Sequence, residues 1–484
     1  MPSRTLRYRT TRPVPTRTQV DSEALLARFD AIRRELDVPG DFPADVLAEA
    51  QMVAQQVDLP ERDETAVPFV TIDPVGSLDL DQALHLQRTE EGYRVRYAIA
   101  DVPAFVRPGG ALDAETRHRV ETIYAPDQRS PLHPPSLGEG AASLLPDQLR
   151  AAFVWDFSLD ARADVKKAEA YLATVRSSAR LDYPGVQRAV DEGTADAMLL
   201  LLKEIGVKRI ALEGERGGAS LPLPEQEVTQ GEDGAFGLGF RPPVEAEDWN
   251  AQLSLMTGMA AAQLMLDARI GILRTMPPPD QGAVARFRRQ ARSLGVEWPR
   301  SERYGDFIRR LDLTDPKQLA LVHEATTLFR GASYTAFEGA TPDQPVHAAV
   351  AAPYAHVTAP LRRLVDRFGL VLCAAVCAGV EIPAWVREAL PALPDLMREG
   401  DRRAQAVERA CTDAVEAAVM ASQVGQTFRG EVVDVDPKRK TSTVQLTEPA
   451  IVATTRAELE LGQQVSVTVD AADISAGRIA LTPV

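Results

Sequence analysis

"TIDPVGSLDLDQAL", residues 71–84, sets Asp73, Asp79 and Asp81 within nine residues of a largely apolar stretch. The lead-in "AVPFV" is apolar and β-branched enough to predict a strand running into Asp73. "PVGS" predicts a turn, because Pro fixes φ and Gly frees it. "LDLDQALHL" then alternates, which assigns Asp79 and Asp81 to one face and Leu78, Leu80 and Leu84 to the other. Three carboxylates converging beside a strand raise one another's pKa unless a cation stands among them.

Carboxylates without nearby Cys or His suit hard cations, magnesium or manganese. A calcium loop of EF-hand type fits badly, since Val75 and Leu78 fall where ligands belong. A glycosidase pair needs fewer acids than stand here, and a solvated turn with incidental acids is the bland alternative. A magnesium cluster most often serves phosphoryl transfer, which also wants a fixed cation for the phosphate oxygens. The best source is "YAHVTAPLRRLVDR" (354–367), read as a Thr-Ala-Pro turn opening a helix that carries Arg362 and Arg363.

Composition bounds the rest. The 484 residues, 45% hydrophobic and 25% charged, predict a globular chain of several domains. The longest apolar runs are too short or too charged to span a bilayer, and no membrane partner is expected. Cys373, Cys377 and Cys411 show no zinc spacing and no disulfide framework, which points to a reduced, cytoplasmic protein. Net charge is 54 − 69 = −15, on its face unfavourable for a nucleic-acid partner. Basic clusters at 4–17, 285–292, 360–367 and 437–440 keep that partner open.

Along the chain, the Arg/Thr-rich start predicts a disordered basic arm over 1–20, with a transit peptide as the alternative. "SEALLARFDAIRREL" and "PADVLAEAQMVAQQ" predict two helices around "DVPGDFP", either a helix-turn-helix-like module or a cap on the main domain. Strands dominate from about 65 to 180, with "EEG" as a hairpin turn, and helices from 181 to 425. From about 427 the tail predicts four or five short strands, a small barrel of OB type.

These pieces together resemble the ribonuclease II/ribonuclease R (RNB) family of processive 3′→5′ exoribonucleases. The resemblance runs in order through "DFPADVLAEA", "TIDPVGSLDLDQALHL", "YAIADVPAFV", "YAPDQRSPLHPPSL", "SSARLDYPGV" and "YAHVTAPLRRLVDR". It implies an α+β fold: a helical N-terminal module (21–60), an RNB-type catalytic domain (61–425) and a C-terminal OB-fold barrel (426–484) that binds RNA. It implies magnesium-dependent hydrolysis of RNA from a single-stranded 3′ end, by a monomer. Asp73, Asp79 and Asp81 would be metal carboxylates, with Asp79, Asp81 and Arg362 catalytic. Arg362 would hold the scissile phosphate with Arg363 beside it, Glu408 would sit near the terminal nucleotide, and Tyr124 would stack on the terminal bases.

The chain departs from the family at several points. The signature's fourth Asp is Gln82, whose carboxamide oxygen can ligate magnesium but brings no charge. Ile270 stands where the family has an aromatic clamp on RNA, and a second family glutamate is replaced near Ser333. About 60 residues precede the Asp cluster, too few for the family's tandem cold-shock barrels. A catalytically weakened RNA-binding relative is therefore the rival expectation.

Overall fold

The structure, a computed structural model, describes residues 6–10, 22–219, 225–230, 236–241, 244–312, 315–446 and 451–484. Part of the expected basic arm is a strand: β1 (Leu6–Thr10) pairs in parallel with Glu225–Gln230. The rest of that arm lies outside the described residues. α1 (Ser22–Glu35) buries Leu25, Phe29 and Ile32 at helical spacing. α2 (Ala44–Ala54) buries Val46, Ala50 and Val53 in the same way. The two helices join different cores. α1 packs with Val407 and Cys411 and the C-terminal strands, whereas α2 packs with Phe69, Leu80 and Ala98. Of the two readings of this segment, the cap is the one realised, because each helix's apolar stripe finds its partner on the body of the protein.

The central unit is a closed five-stranded barrel in the order β2-β3-β4-β7-β8. β2 (Phe69–Asp73), β3 (Gln82–Arg88) and β4 (Gly92–Ala100) come first, the last two joined by the expected tight turn. Between β4 and the rest lie α3 (Ala111–Arg119) and a small hairpin, β5 (Ile123–Tyr124) with β6 (Arg129–Ser130). β7 (Leu149–Asp160) and β8 (Val165–Asp182) complete the barrel, which closes by parallel pairing of β8 with β2. That pairing sets Asp73 opposite Asp182 at the rim.

Helices then wrap one side. α4 (Tyr183–Asp191) and α5 (Ala197–Arg216) lead to the hairpin β9 (Glu225–Gln230) and β10 (Phe236–Arg241). α6 (Glu245–Ala268) is the central helix, buried through Trp249, Leu253, Met256, Ala261 and Met265. β11 (Ile270–Thr275) follows it, then α7 (Gln281–Ser293), α8 (Tyr304–Arg309) and α9 (Pro316–Ala325). β12 (Ser333–Glu338) returns antiparallel to β11, and β13 (Val346–His347) pairs with β14 (Ala352–Pro353). α10 (Leu364–Ala378), α11 (Ala384–Ala389) and α12 (Leu393–Ala421) close the body. Gly258 of α6 lets the chain entering α10 lie directly on the helix: a Cβ there would stand 2.2 Å from the Tyr354 ring, and the Gly258 carbonyl accepts from Ala355 N–H (3.0 Å).

β15 (Thr427–Asp436), β16 (Thr441–Leu446), β17 (Ile451–Thr455), β18 (Gln464–Asp473) and β19 (Arg478–Pro483) form the second closed barrel, as the tail's short strands predict. Val432, Val444, Ile451, Val467 and Leu481 fill it, and α12 and α1 seal one side. Among the described residues no helix is long and apolar enough to cross a membrane, and the three cysteines are free thiols.

Candidate active site

Two segments far apart in sequence build the site. In the first, β2 ends at Asp73 and residues 74–77 turn, with Ser77 N–H donating to the Pro74 carbonyl (3.1 Å). Gly76, at φ 87, fills the left-handed third position such a turn requires. Residues 78–80 then run without a strand partner and are strapped by Ser143. Its Oγ accepts from Leu80 N–H (2.9 Å) and donates to the Leu78 carbonyl, while Leu144 N–H donates to the Leu80 carbonyl (3.0 Å). The strap corrects the expected alternation, because it occupies the Leu80 backbone groups that a ladder would use. Leu78 is 41% exposed, whereas Leu80 (0%) and Asp81 (4%) are both buried, and β3 begins only at Gln82.

The second segment is the turn before α10. Arg362 and Arg363 N–H groups both reach back to the Ala359 carbonyl, and the helix begins at Leu364. The arginines therefore stand ahead of the helix rather than on it. Thr122 N–H donates to the Arg362 carbonyl and Leu364 N–H to the Val120 carbonyl, so the strand that carries Tyr124 grows from the flank of this turn. Val120 sits at φ 69, a costly conformation for a β-branched residue, held by these bonds on both sides.

Asp81 joins the two segments. Its Oδ1 accepts from Leu361 N–H (2.7 Å), its Oδ2 lies 3.6 Å from Arg362 Nε, and its carbonyl accepts from Ala100 N–H. Desolvation holds the Asp81 carboxyl well above the ordinary carboxylate range, with Arg362 and the Leu361 N–H opposing. Asp73 is pushed up to about 7, first by desolvation and then by the Asp79 charge, with Arg362 and Arg180 pulling the other way. Asp79 accepts from Arg129 Nη1 at 2.9 Å. Tyr124 stands directly across the hairpin from Arg129 and is 40% exposed. Burial and then the Asp79 charge raise its hydroxyl pKa, which sets the ring beside the same cluster. Asp73, Asp79, Asp81, Arg362 and Tyr124 thus come together.

Other expected residues sit elsewhere. Arg363 is committed to Asp366, Nε to Oδ2 and Nη2 to Oδ1, both at 2.9 Å; the same carboxylate accepts from Ala359 N–H, so the pair braces the turn. Ile270 is 4% exposed in the main core, because it opens β11 and pairs with Glu338, and it offers no surface to a base. Gln82 is engaged at both ends: its amide donates to the Thr358 carbonyl, and its Oε1 accepts from Tyr97 Oη (2.9 Å). The carboxamide is a tether between β3 and the 358–362 turn rather than an open ligand. Glu408 is half-buried on α12, the helix that packs on β5. Sequence reasoning missed Arg129, Ser143 and Tyr97. Arg129 alone carried a signal, a basic residue five positions beyond Tyr124 in "YAPDQRSP".

Among the described residues no group of three or more His, Cys, Asp or Glu is arranged to hold a metal ion. The donors at Asp73, Asp79 and Asp81 are nonetheless carboxylate oxygens, the type magnesium and manganese take. One or two suffice where water and a substrate phosphate complete the shell.

Comparison with known proteins assigns the two barrels to known domains. Residues 61–372 match the RNB domain, and residues 426–484 match the RNase II-type exonuclease C-terminal S1 domain. The exosome complex exonuclease RRP44 homolog A of Arabidopsis thaliana is 28% identical over 365 residues, covering 71% of this chain and 38% of that protein. Ribonuclease R of Escherichia coli is 27% identical over 362 residues, covering 70% and 43%. The chain thus spans about two-fifths of the length of these relatives. Mycoplasma genitalium RNase R in complex with ribose methylated single-stranded RNA superposes with a TM-score of 0.85 at 18% identity, over 96% of this chain and 78% of that one. With its RNB domain, its S1 barrel and its aspartates gathered at the barrel rim, the chain belongs to the RNB family of exoribonucleases.

Proposed function

We propose that the protein hydrolyses RNA processively from a single-stranded 3′ end, releasing nucleoside 5′-monophosphates, with magnesium (or manganese) at the aspartates. The observation that carries this is the meeting of Asp73, Asp79 and Asp81 with Arg362 beside the open ring of Tyr124. In the reaction, water attacks the last phosphodiester phosphorus, the 3′-oxygen of the preceding nucleotide leaves, and the released nucleotide keeps its 5′-phosphate. Arg362, 45% exposed and anchored through its backbone, binds the non-bridging oxygens. Tyr124 grips the terminal base by stacking, which needs no particular sequence. Glu408 contacts the terminal nucleotide from α12. A divalent ion, where carboxylates among Asp73, Asp79 and Asp81 held it with water and the substrate phosphate, would supply charge for the attacking water and the leaving oxygen.

Arg-lined access to this site reconciles an RNA substrate with a net charge of −15, since the exterior stays acidic. We divide the chain into the arm (1–20), the helical segment (21–60), the catalytic domain (61–425) and the RNA-binding barrel (426–484), and take it to be monomeric and cytoplasmic.

A catalytically weakened RNA-binding relative is the rival. In its favour stand Gln82, engaged by Thr358 and Tyr97, and a likeness to yeast Ssd1, a pseudonuclease (TM-score 0.67, 17% identity, 93% of this chain and 57% of that one). Against it stands the retention of all three aspartates with Arg362. The test is a 5′-labelled single-stranded RNA incubated with magnesium and resolved on a gel, beside DNA of the same sequence. Stepwise shortening of RNA with 5′-monophosphates released is expected, and little action on DNA, because the 2′-OH distinguishes the two. Binding without shortening establishes the rival, and internal cuts or 3′-phosphate products overturn both.

A further inference from the structure

Arg129 lies on the β5–β6 hairpin directly opposite Tyr124. Its Nη1 donates to Asp79 Oδ1 at 2.9 Å, and its Nη2 pairs with Glu139 Oε1. All three side chains are largely shielded, with Arg129 30% exposed, Asp79 18% and Glu139 23%. Shielding makes the pair stronger than an ion pair on open surface. Asp79 thus differs from Asp81. Asp81 accepts a backbone N–H and faces the half-exposed Arg362 at 3.6 Å, whereas Asp79 already has a fixed cation at hydrogen-bond distance.

A divalent cation approaching Asp79 meets the positive charge of Arg129 and competes with its hydrogen bond for Oδ1. We propose that Arg129 is a positioning residue that competes with the divalent cation for Asp79, and that Glu139 sets how strongly it competes. The proposal rests on the assignment of Asp79 as a metal carboxylate made above. Glu139 draws the guanidinium away from Asp79, so Arg129 and Glu139 act on metal binding in opposite directions. A role confined to holding the hairpin gives no such opposition, since removal of either pair loosens the same turn.

The test uses the full chain and Mn²⁺ alone, with affinity measured by titration calorimetry and folding checked by circular dichroism. Arg129→Met is expected to lower the Mn²⁺ dissociation constant about tenfold, the size of one partly buried ion pair. Glu139→Gln is expected to raise it several-fold, and in an Asp79→Asn background the Arg129→Met gain disappears. Should Arg129→Met fail to fold, Arg129→Lys carries the test, with a smaller tightening expected because the shorter ammonium reaches Asp79 less well. An unchanged or weaker Mn²⁺ affinity in the folded Arg129 variant overturns the proposal, as does a change of the same sign in Glu139→Gln. If the unaltered protein shortens RNA and binds Mn²⁺ while the Arg129 variant is unmoved, only this proposal falls. If the unaltered protein binds no Mn²⁺, the metal assignment falls with it.

Discussion

Asp81→Asn separates chemistry from architecture, because the structure predicts opposite effects on the two. Asparagine is nearly isosteric, and its carbonyl oxygen keeps the 2.7 Å bond from Leu361 N–H, which joins the two halves of the site. What disappears is the attraction to Arg362 across 3.6 Å. With Arg362 45% exposed, that is worth about 0–1 kcal/mol. What is relieved is a carboxylate in a 4% exposed position whose pKa desolvation has raised well above 3.8. A raised carboxyl pKa contributes stability that is fully present below the unfolded value near 3.8 and is lost as pH rises through the folded value. The asparagine variant does not titrate, so in chelator its melting temperature should match the parent's near pH 4 and equal or exceed it near pH 8. Turnover should fall roughly 10²–10³-fold, the usual result of removing one group that stabilises developing charge, while RNA affinity stays nearly constant. The assays are thermal melts from pH 4 to 8, single-turnover shortening of labelled RNA, and binding by fluorescence anisotropy. A variant that melts several degrees lower at pH 8, and loses binding and turnover together, would refute the assignment and make Asp81 a structural residue.

Three further outcomes follow from named contacts. Gln82→Asp is too short to hold both Thr358 and Tyr97; it should destabilise the protein by about 1–3 kcal/mol and leave the magnesium concentration for half-maximal rate no lower, as melts and a magnesium titration of rate will show. Tyr124→Ala should weaken single-stranded RNA binding by about 1–3 kcal/mol in anisotropy titrations, with a small change in melting temperature because the ring is already 40% exposed. Asp101, whose pKa burial pushes up to about 7, should cost the fold stability as pH rises from about 4 to 7. Asp101→Asn keeps an acceptor for Ala104 N–H and should flatten that part of the pH–melting curve.

What the sequence disclosed, and what it withheld, divides along local and non-local physics. The hairpin at 82–100, the helices at 245–268 and 364–378 and the C-terminal barrel follow from period and turn chemistry, which neighbouring residues fix among themselves. β8 falls in the stretch expected to be mostly strands, but its own residues show no strand period. "VKKAEAYLATVRSSARLD" is rich in Ala and carries two Lys and two Arg, and it is extended because β7 and β2 pair with it on both sides. The same division runs through the site. Asp73, Asp79, Asp81 and Arg362 were legible because carboxylates in apolar sequence demand a cation and a phosphate site demands a fixed charge. Whether Asp79 and Asp81 share a strand face was not, because Ser143, more than sixty residues away, supplies the bonds that lift residues 78–80 out of the ladder. Ile270, Arg363 and Gln82 make the point most sharply. Residue type states what a side chain is able to bind, but a shielded polar group in a folded chain is already bound to something. For Arg363 that partner is Asp366, for Gln82 it is Thr358 and Tyr97, and for Asp79 it is Arg129. The partner of Asp79 is divided between two carboxylates, since Glu139 pulls on the same guanidinium. A cation arriving at Asp79 therefore meets a bond contested between two carboxylates, and that contest is where its binding can be tuned.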